Sequence, residues 1–194
     1  MQLVPSTNEF LSYKTLRRFS DTFIETGSGA GDGIQRALDA GFAHVASIEA
    51  YDENFLICAR RFQGNGRVRL FRGRSVDVLA GLLRELRGPC VFFLDAHPSA
   101  QNSYGYEEAA RWQVEYYQDT IIRQELALIL ADSHRHVILI DDMHGDSAPC
   151  ALIYQEIIQR AKGGYDFALY DENLSGTDPV HFYKDKLLAA VPVI

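Results

Sequence analysis

The stretch Phe23-Ile24-Glu25-Thr26-Gly27-Ser28-Gly29-Ala30-Gly31-Asp32-Gly33 constrains this chain more than any other, because an apolar run ends in an acid and passes straight into four alternating glycines. Glycine has no Cβ and reaches positive φ cheaply, so the turn can pass close beneath a small molecule before a helix begins near Asp32. A second apolar run ends in a second acid, Glu49, 24 residues after Glu25. Together they form a cradle of the nucleotide-binding kind; the plain alternative is a tight strand-to-helix turn with no ligand.

Spacing decides which nucleotide is admissible. The dinucleotide fingerprint G-x-G-x-x-G needs its third glycine three positions after the second. Counting from Gly27 and Gly29 finds Asp32 there, and counting from Gly29 and Gly31 finds Ile34, so the dinucleotide reading fails in both registers. What remains is E-x-G-x-G-x-G followed by a second acid.

Along the rest of the chain, short apolar runs alternate with helical patterns, which predicts an α/β fold: a mostly parallel sheet with helices on both faces. Expected strands are Thr22 to Glu25, Val45 to Glu49, Val68 to Phe71, Cys90 to Asp95, Val137 to Asp141, Asp166 to Tyr170 and Val180 to Lys184, seven in all. Ile34, Ala37 and Leu38 give one helix its apolar stripe, and Asp52 is the expected N-cap of a helix carrying Phe55, Cys58, Ala59 and Phe62. Val76, Leu79, Leu82, Leu83 and Leu86 form a third helical series, and Leu152, Ile153, Ile157 and Ile158 mark another. Ser75 could cap the third of these helices. Between Asp95 and Asp141 lie 45 residues, more than one crossover needs. The aromatic-rich part over 98–118, with Tyr104, Tyr106, Trp112, Tyr116 and Tyr117, reads either as a lid or insertion over the site or as packing on a long helix through Ile121, Ile122, Leu126 and Ile129.

At 194 residues and 47% apolar, the chain can bury one substantial core, so a single domain over 1–194 is expected. No run approaches the roughly 18 apolar residues of a membrane helix, and no basic segment followed by a long apolar run opens the chain, so a soluble, cytoplasmic protein is expected. Cys58, Cys90 and Cys150 are widely separated in apolar surroundings, which favours buried free thiols over disulfides or a zinc site. A net charge of −7 argues against a nucleic-acid partner despite the local run Arg60, Arg61, Arg67, Arg69, Arg72 and Arg74. The strand near Val180 to Tyr183 and the tail Leu187 to Ile194 could pair between subunits or pack on their own domain.

Ligands of open α/β sheets bind outside the carboxyl ends of the strands, where Glu25, Glu49, Asp95, Asp141 and Asp142 all fall. The glycine turn with its trailing acid resembles motif I and the ribose-binding acid of class I S-adenosylmethionine (SAM) methyltransferases. A strand ending Leu94-Asp95-Ala96-His97, a helix with Glu125-Leu126-Ala127-Leu128-Ile129 and a strand ending Ile140-Asp141-Asp142 resemble the small-molecule O-methyltransferases, both catechol-type enzymes and macrolide-sugar relatives. The resemblance runs from about Phe23 to Gly145.

It implies a Rossmann-like sheet of seven strands whose last runs antiparallel, and methyl transfer from SAM to a hydroxyl of a small acceptor such as a sugar. Cofactor contacts would come from Glu25, Gly27, Ser28, Gly29 and Gly31, from Glu49 at the ribose diol, from Ala50, Tyr51 and Ser75 near the adenine, and from Asp95. Gly73-Arg74-Ser75 departs from the common G-D-S arrangement, which leaves the adenine amino contact unassigned. Asp95, Asp141 and Asp142 would suit Mg²⁺ or another divalent cation, which prefers carboxylate oxygens. His97, where catechol-type enzymes place a lysine, or His144 would take the acceptor proton, with Asp95 in the catalytic set. Two other readings remain open: a SAM-fold protein that binds without transfer, and another α/β nucleotide-dependent enzyme using the acidic cluster, although neither a Walker motif nor a G-x-S-x-G elbow occurs.

Overall fold

The computed structural model describes residues 12–96, 121–141, 164–171 and 186–192. The elements are α1 (Tyr13–Leu16), β1 (Thr22–Thr26), α2 (Asp32–Asp39), β2 (His44–Glu49), α3 (Asp52–Arg61), β3 (Val68–Arg72), α4 (Ser75–Glu85), β4 (Val91–Leu94), α5 (Ile121–Ala131), β5 (Val137–Ile140), β6 (Tyr165–Asp171) and β7 (Lys186–Pro192). The seven strands make one sheet in the order β3-β2-β1-β4-β5-β7-β6. β1 to β5 pair in parallel, while β7 runs antiparallel to both β5 and β6.

Why the central strands read as unbroken apolar runs follows from the two layers around them. Ile24, Ile48, Phe92, Leu94, Ile138 and Ile140 pack on one face with Leu79, Leu82 and Leu83 of α4 and Ile122, Leu126 and Ile129 of α5. Phe23, Val45, Val91, Phe93, Val137 and Leu139 pack on the other face with residues of α1, α2 and α3. Successive side chains of a strand alternate between faces, so a sheet covered on both sides favours apolar residues at successive positions of its central strands, with Glu25 and Ser47 the exceptions near the carboxyl edge. Each fully buried Phe or Ile contributes about 1.5–3 kcal/mol.

Three sequence expectations change. The last strand is Lys186–Pro192, in the tail, where it pairs with β5 and β6 inside this chain's own sheet; Val180 to Lys184 lies outside the described residues. Asp52 is the first residue of α3, not its N-cap, and its carboxylate pairs with Arg72 on the edge strand β3. Ser75 likewise opens α4 without a side-chain cap bond, Arg74 being the residue before the helix. Much of the arginine run is engaged within the chain: Arg61 with Asp32, Arg69 with Glu85, Arg72 with Asp52, and Arg67 with the carbonyls of Leu38 and Phe42. Cys58 and Cys90 are buried free thiols. The short α1 has no counterpart in the sequence reading; its Tyr13 is buried against Phe23 and Phe93. The expected helix around Leu152 to Ile158, and Cys150, lie outside the described residues. Among the described residues no helix is long and apolar enough to cross a membrane.

Candidate active site

Parallel pairing brings the acids together at the carboxyl edge. Thr26 of β1 pairs with Ile48 of β2 on one side and with Leu94 of β4 on the other, and Leu94 pairs with Ile140 of β5. The residues that follow, the Gly27 turn, Glu49, Asp95 and Asp141, therefore stand in a row along one edge. Asp95 and Asp141 are each anchored by their backbone N–H, which donate to the carbonyls of Thr26 and Leu94, both at 3.0 Å.

The turn itself is left-handed at three positions, with φ of 83°, 49° and 89° at Gly27, Gly29 and Gly31. The protein's own atoms occupy the space that side chains would need at most of these glycines. A Cβ on Gly27 would lie 2.4 Å from the Asp95 carbonyl oxygen, one on Gly31 would lie 2.6 Å from the Phe62 ring, and one on Gly33 would lie 1.8 Å from Glu25 Oε1. Only Gly29 of this set faces open space, with nothing within 4 Å of that position. Sequence reasoning singled out Gly27, Gly29 and Gly31; Gly33, which makes room for a buried carboxyl, completes the alternation and was visible in it.

Glu49 closes the turn. Its Oε2 accepts the Gly29 N–H at 3.0 Å and its Oε1 accepts the Tyr51 N–H at 2.8 Å, so one carboxylate ties the end of β2 to the glycine loop. Charge-assisted bonds of this kind are the stronger class, and each carboxylate oxygen keeps a second lone pair for another donor. Ala50 and Tyr51 follow directly, half-exposed at the rim of this edge.

Glu25 sits deeper, 2% exposed. Ser47 Oγ donates to its Oε2 at 2.6 Å and shares a 2.7 Å bond with Ser28 Oγ. Burial, set against the Ser47 hydroxyl and reinforced by the Asp95 charge, pushes this carboxyl up to about 8. Ser47 was missed, although a lone hydroxyl inside the buried run Val45 to Ile48 was the available signal. Arg61 clamps the loop from outside by donating to the Ala30 carbonyl and Asp32 carboxylate at 2.8 and 2.7 Å.

A second buried acid lies under the same edge on the opposite face. Glu125 of α5 is wholly buried and neither oxygen meets a donor at hydrogen-bonding geometry, though the hydroxyls of Ser75 and Thr26 lie beside it. Burial, opposed by those hydroxyls and reinforced by Asp95, raises this carboxyl too, to about 8. The sequence placed Glu125 in a helix motif without assigning it a role, yet its register with Ile122, Leu126 and Ile129 already put it on the buried stripe.

His97, Asp142, His144 and the 98–118 segment lie outside the described residues. Of the proposed metal ligands, Asp95 and Asp141 stand at neighbouring strand ends, and a set of hard oxygens there fits a cation such as Mg²⁺ in kind. Among the described residues, the one grouping of three metal-capable side chains lies at the opposite edge: Asp132, His134 and His136, with ligand atoms within 4.8 Å of one another.

No family model matches the chain, and no curated protein matches it in sequence. Solved structures do match in fold. An O-methyltransferase from Bacillus cereus in complex with SAH superposes with a TM-score of 0.56 at 16% identity, covering 92% of this chain and 80% of its own. The O-methyltransferase TomG from Streptomyces achromogenes, involved in tomaymycin synthesis and solved with SAM, gives 0.57 at 17% identity, with 93% and 79% covered. The SAH-bound methyltransferase PaMTH1 from Podospora anserina gives 0.54 at 14% identity, with 94% and 76% covered. The chain thus has the seven-stranded, mostly parallel α/β fold of class I SAM-dependent methyltransferases.

Proposed function

We propose that this chain is a SAM-dependent O-methyltransferase that transfers a methyl group to a hydroxyl of a small acceptor, a sugar or sugar-containing metabolite being the class intended. The observation that carries the reading is the Glu49 carboxylate, held by the Gly29 and Tyr51 N–H groups beside the one glycine of the turn that faces open space. The neighbours solved with SAM or SAH share this fold and support the cofactor assignment.

In this reading, SAM brings an electrophilic methyl on a sulfonium, and the chain holds and orients. Glu49 accepts from the ribose diol with its remaining lone pairs. Gly29 lets the backbone approach the ligand, Gly27 and Gly31 carry the turn past Asp95 and Phe62 on the way to it, Glu25 orders the turn through Ser47 and Ser28, and Ala50, Tyr51 and Ser75 flank the base. Asp95 faces the amino acid end. His97 is the residue proposed to take the acceptor proton, with His144 as the alternative, and the 98–118 segment is proposed to cover the acceptor. Holding donor and acceptor in line can supply about 7–11 kcal/mol of the barrier, so little covalent help is required. A divalent ion on Asp95, Asp141 and Asp142 would orient the acceptor hydroxyl and lower its pKa.

The test is transfer of a labelled methyl from SAM to a panel of sugars and phenols, with and without Mg²⁺, beside calorimetry with SAH. Turnover that Glu49→Ala abolishes and that chelation slows is the expected result. Turnover indifferent to chelators removes the metal, and SAH binding without turnover on any acceptor points instead to a binding protein of the same fold.

A further inference from the structure

The acids gathered at the carboxyl edge, Glu25, Glu49, Asp95 and Asp141, suit the ammonium of an amino acid but repel its carboxylate, and the ligand proposed above carries both. A cation near the ends of β1 and β4 is therefore required, and most basic groups around the turn are committed elsewhere. Arg61 grips the Ala30 carbonyl and the Asp32 carboxylate, Arg72 pairs with Asp52 on the edge strand, and Arg74 precedes α4 at the β3 end of the sheet. Arg36 of α2 differs: it is half-buried, and among the described residues no carboxylate stands at ion-pair distance from it.

The register of α2 fixes where Arg36 reaches. Gly33 lies directly on Glu25, so close that an added Cβ would meet Oε1 at 1.8 Å, and Arg36 stands one turn further along the same side of the helix. Long helical side chains lean back toward the N-terminus of their helix, and α2 begins at the carboxyl edge, so the guanidinium leans toward that edge. Tyr13 arrives at the same place from α1. Its ring rests on Phe23 and Phe93, with centroids 5.4 and 6.4 Å away, and Phe93 is the β4 partner of Glu25. Its hydroxyl lies beside Arg36, within the fields of Glu25 and Asp141. Tyr13 is 6% exposed, and no acceptor at hydrogen-bonding geometry takes the hydroxyl proton. A buried donor without an acceptor thus adjoins a guanidinium without a carboxylate, and one carboxylate would complete both.

We propose that Arg36 and Tyr13 bind the carboxylate of the amino acid end of SAM, and so make the cleft select adenosyl ligands that carry this carboxylate over those that lack it. The inference rests on the adenosyl reading above and names two specificity-determining residues within it. The planar guanidinium presents N–H groups to both carboxylate oxygens, and the Tyr13 hydroxyl donates to one of their remaining lone pairs. The zwitterion is then met by opposite charges at neighbouring strands, its ammonium by Asp95 after β4 and its carboxylate by Arg36 over β1. Methyl transfer leaves this end of the ligand unchanged, so substrate and product are held by it alike.

The experiment is calorimetry on the full chain at neutral pH with two probes, SAH and decarboxylated SAH, the second keeping the adenine, ribose, thioether and ammonium. Wild type should bind SAH about ten- to a hundredfold more tightly than the decarboxylated probe. Arg36→Gln should weaken SAH by about that factor and leave the decarboxylated probe at its wild-type affinity, while Arg36→Lys, which keeps the charge, should recover part of the loss. Tyr13→Phe should weaken SAH alone, by about three- to tenfold. An Arg36→Gln variant that weakens both probes equally, or neither, overturns the proposal. So does a wild type that binds the two probes equally, a readout that stands even if the variants fail to fold. Failure of wild type to bind either probe would instead remove the adenosyl reading itself.

Discussion

The two edges of the sheet spend their acids in opposite ways. At the amino edge, Asp132 Oδ1 accepts the His134 N–H at 2.8 Å, the His134 ring Nδ1 lies at 2.8 Å and the His136 ring Nε2 at 3.2 Å. The Cys90 N–H donates to His136 Nδ1 at 3.1 Å, so the ring proton sits on Nε2 and points at Asp132. Burial works to raise the Asp132 carboxyl, the His134 N–H and the two rings more than offset it, and it is held below its usual range. Burial holds the His136 ring down against the pull of Asp132, which keeps it neutral. At the carboxyl edge, burial raises both Glu25, beside the Ser47 hydroxyl, and Glu125, beside the Ser75 and Thr26 hydroxyls. The first edge keeps its acid charged among nitrogen donors; the second buries two acids against hydroxyls, where the neutral form is favoured.

Added methyl groups should break that contrast most severely. Gly33→Ala and Gly27→Ala set a Cβ at 1.8 and 2.4 Å from fixed neighbours, whereas Gly41, at φ 93°, has nothing within 4 Å. We expect losses of about 2–4 kcal/mol at the first two and about 1 kcal/mol at Gly41→Ala, read from urea unfolding midpoints. Equal losses at all three would mean that close packing at the turn is not what its glycines serve.

Next in size is an exchange of roles. His136→Ala strands the buried Cys90 N–H and removes a packed ring, so it should cost about 2–4 kcal/mol of stability while SAH affinity stays at the wild-type value. Glu49→Gln should shift the weight the other way: an amide can accept from only one of the Gly29 and Tyr51 N–H groups, so stability falls by about 1–2 kcal/mol, while SAH affinity drops by about ten- to a hundredfold, measured by calorimetry.

The pH response comes third. A carboxyl raised from 4.5 to about 8 on folding means that the folded chain holds more protons between those values, so stability falls as pH rises through that window. Asp132, held low, supports stability above its unfolded pKa and loses it only in acid, whereas the His136 ring, held below its ordinary 6.5 by burial, costs stability in mild acid and adds a rise with pH that ends near neutrality. The thermal midpoint should drop by several degrees from about pH 7 to about 8.5, and Glu125→Gln should remove a share of that drop. The smallest effect is expected from zinc. Because the Cys90 N–H leaves no place for a proton on His136 Nδ1 if Nε2 were to bind a metal, added Zn²⁺ should move the midpoint by less than about 1 °C.

Legibility in the sequence follows the same divide. Continuous apolar runs gave away the central strands because both faces are covered, and Glu49 was found because an acid closing such a run stands out. Ile122, Leu126 and Ile129 announced α5 by their spacing, and their stripe carried Glu125 with it unnoticed, since a pattern of apolar positions does not flag the acid inside it. The strand expected at Val180–Lys184 lies outside the described residues; Lys186–Pro192, apolar enough to pass for a tail, is shown to be a strand by its pairing with β5 and β6. Asp52 and Ser75 have the chemistry of caps but stand one residue inside their helices, a shift that spacing does not fix. The cluster at Asp132, His134 and His136 escaped the sequence reading because two of its three bonds depend on ring orientation, and the Cys90 N–H that sets it comes from another strand's entrance.

Crystals of the full chain grown with SAH test the central claim most directly. Both ribose hydroxyls should lie within hydrogen-bonding distance of the Glu49 carboxylate, with the Gly29 backbone against the ligand. A ligand bound elsewhere on the molecule, or Glu49 engaged only with the Gly29 and Tyr51 N–H groups while the cleft stays empty, would contradict it.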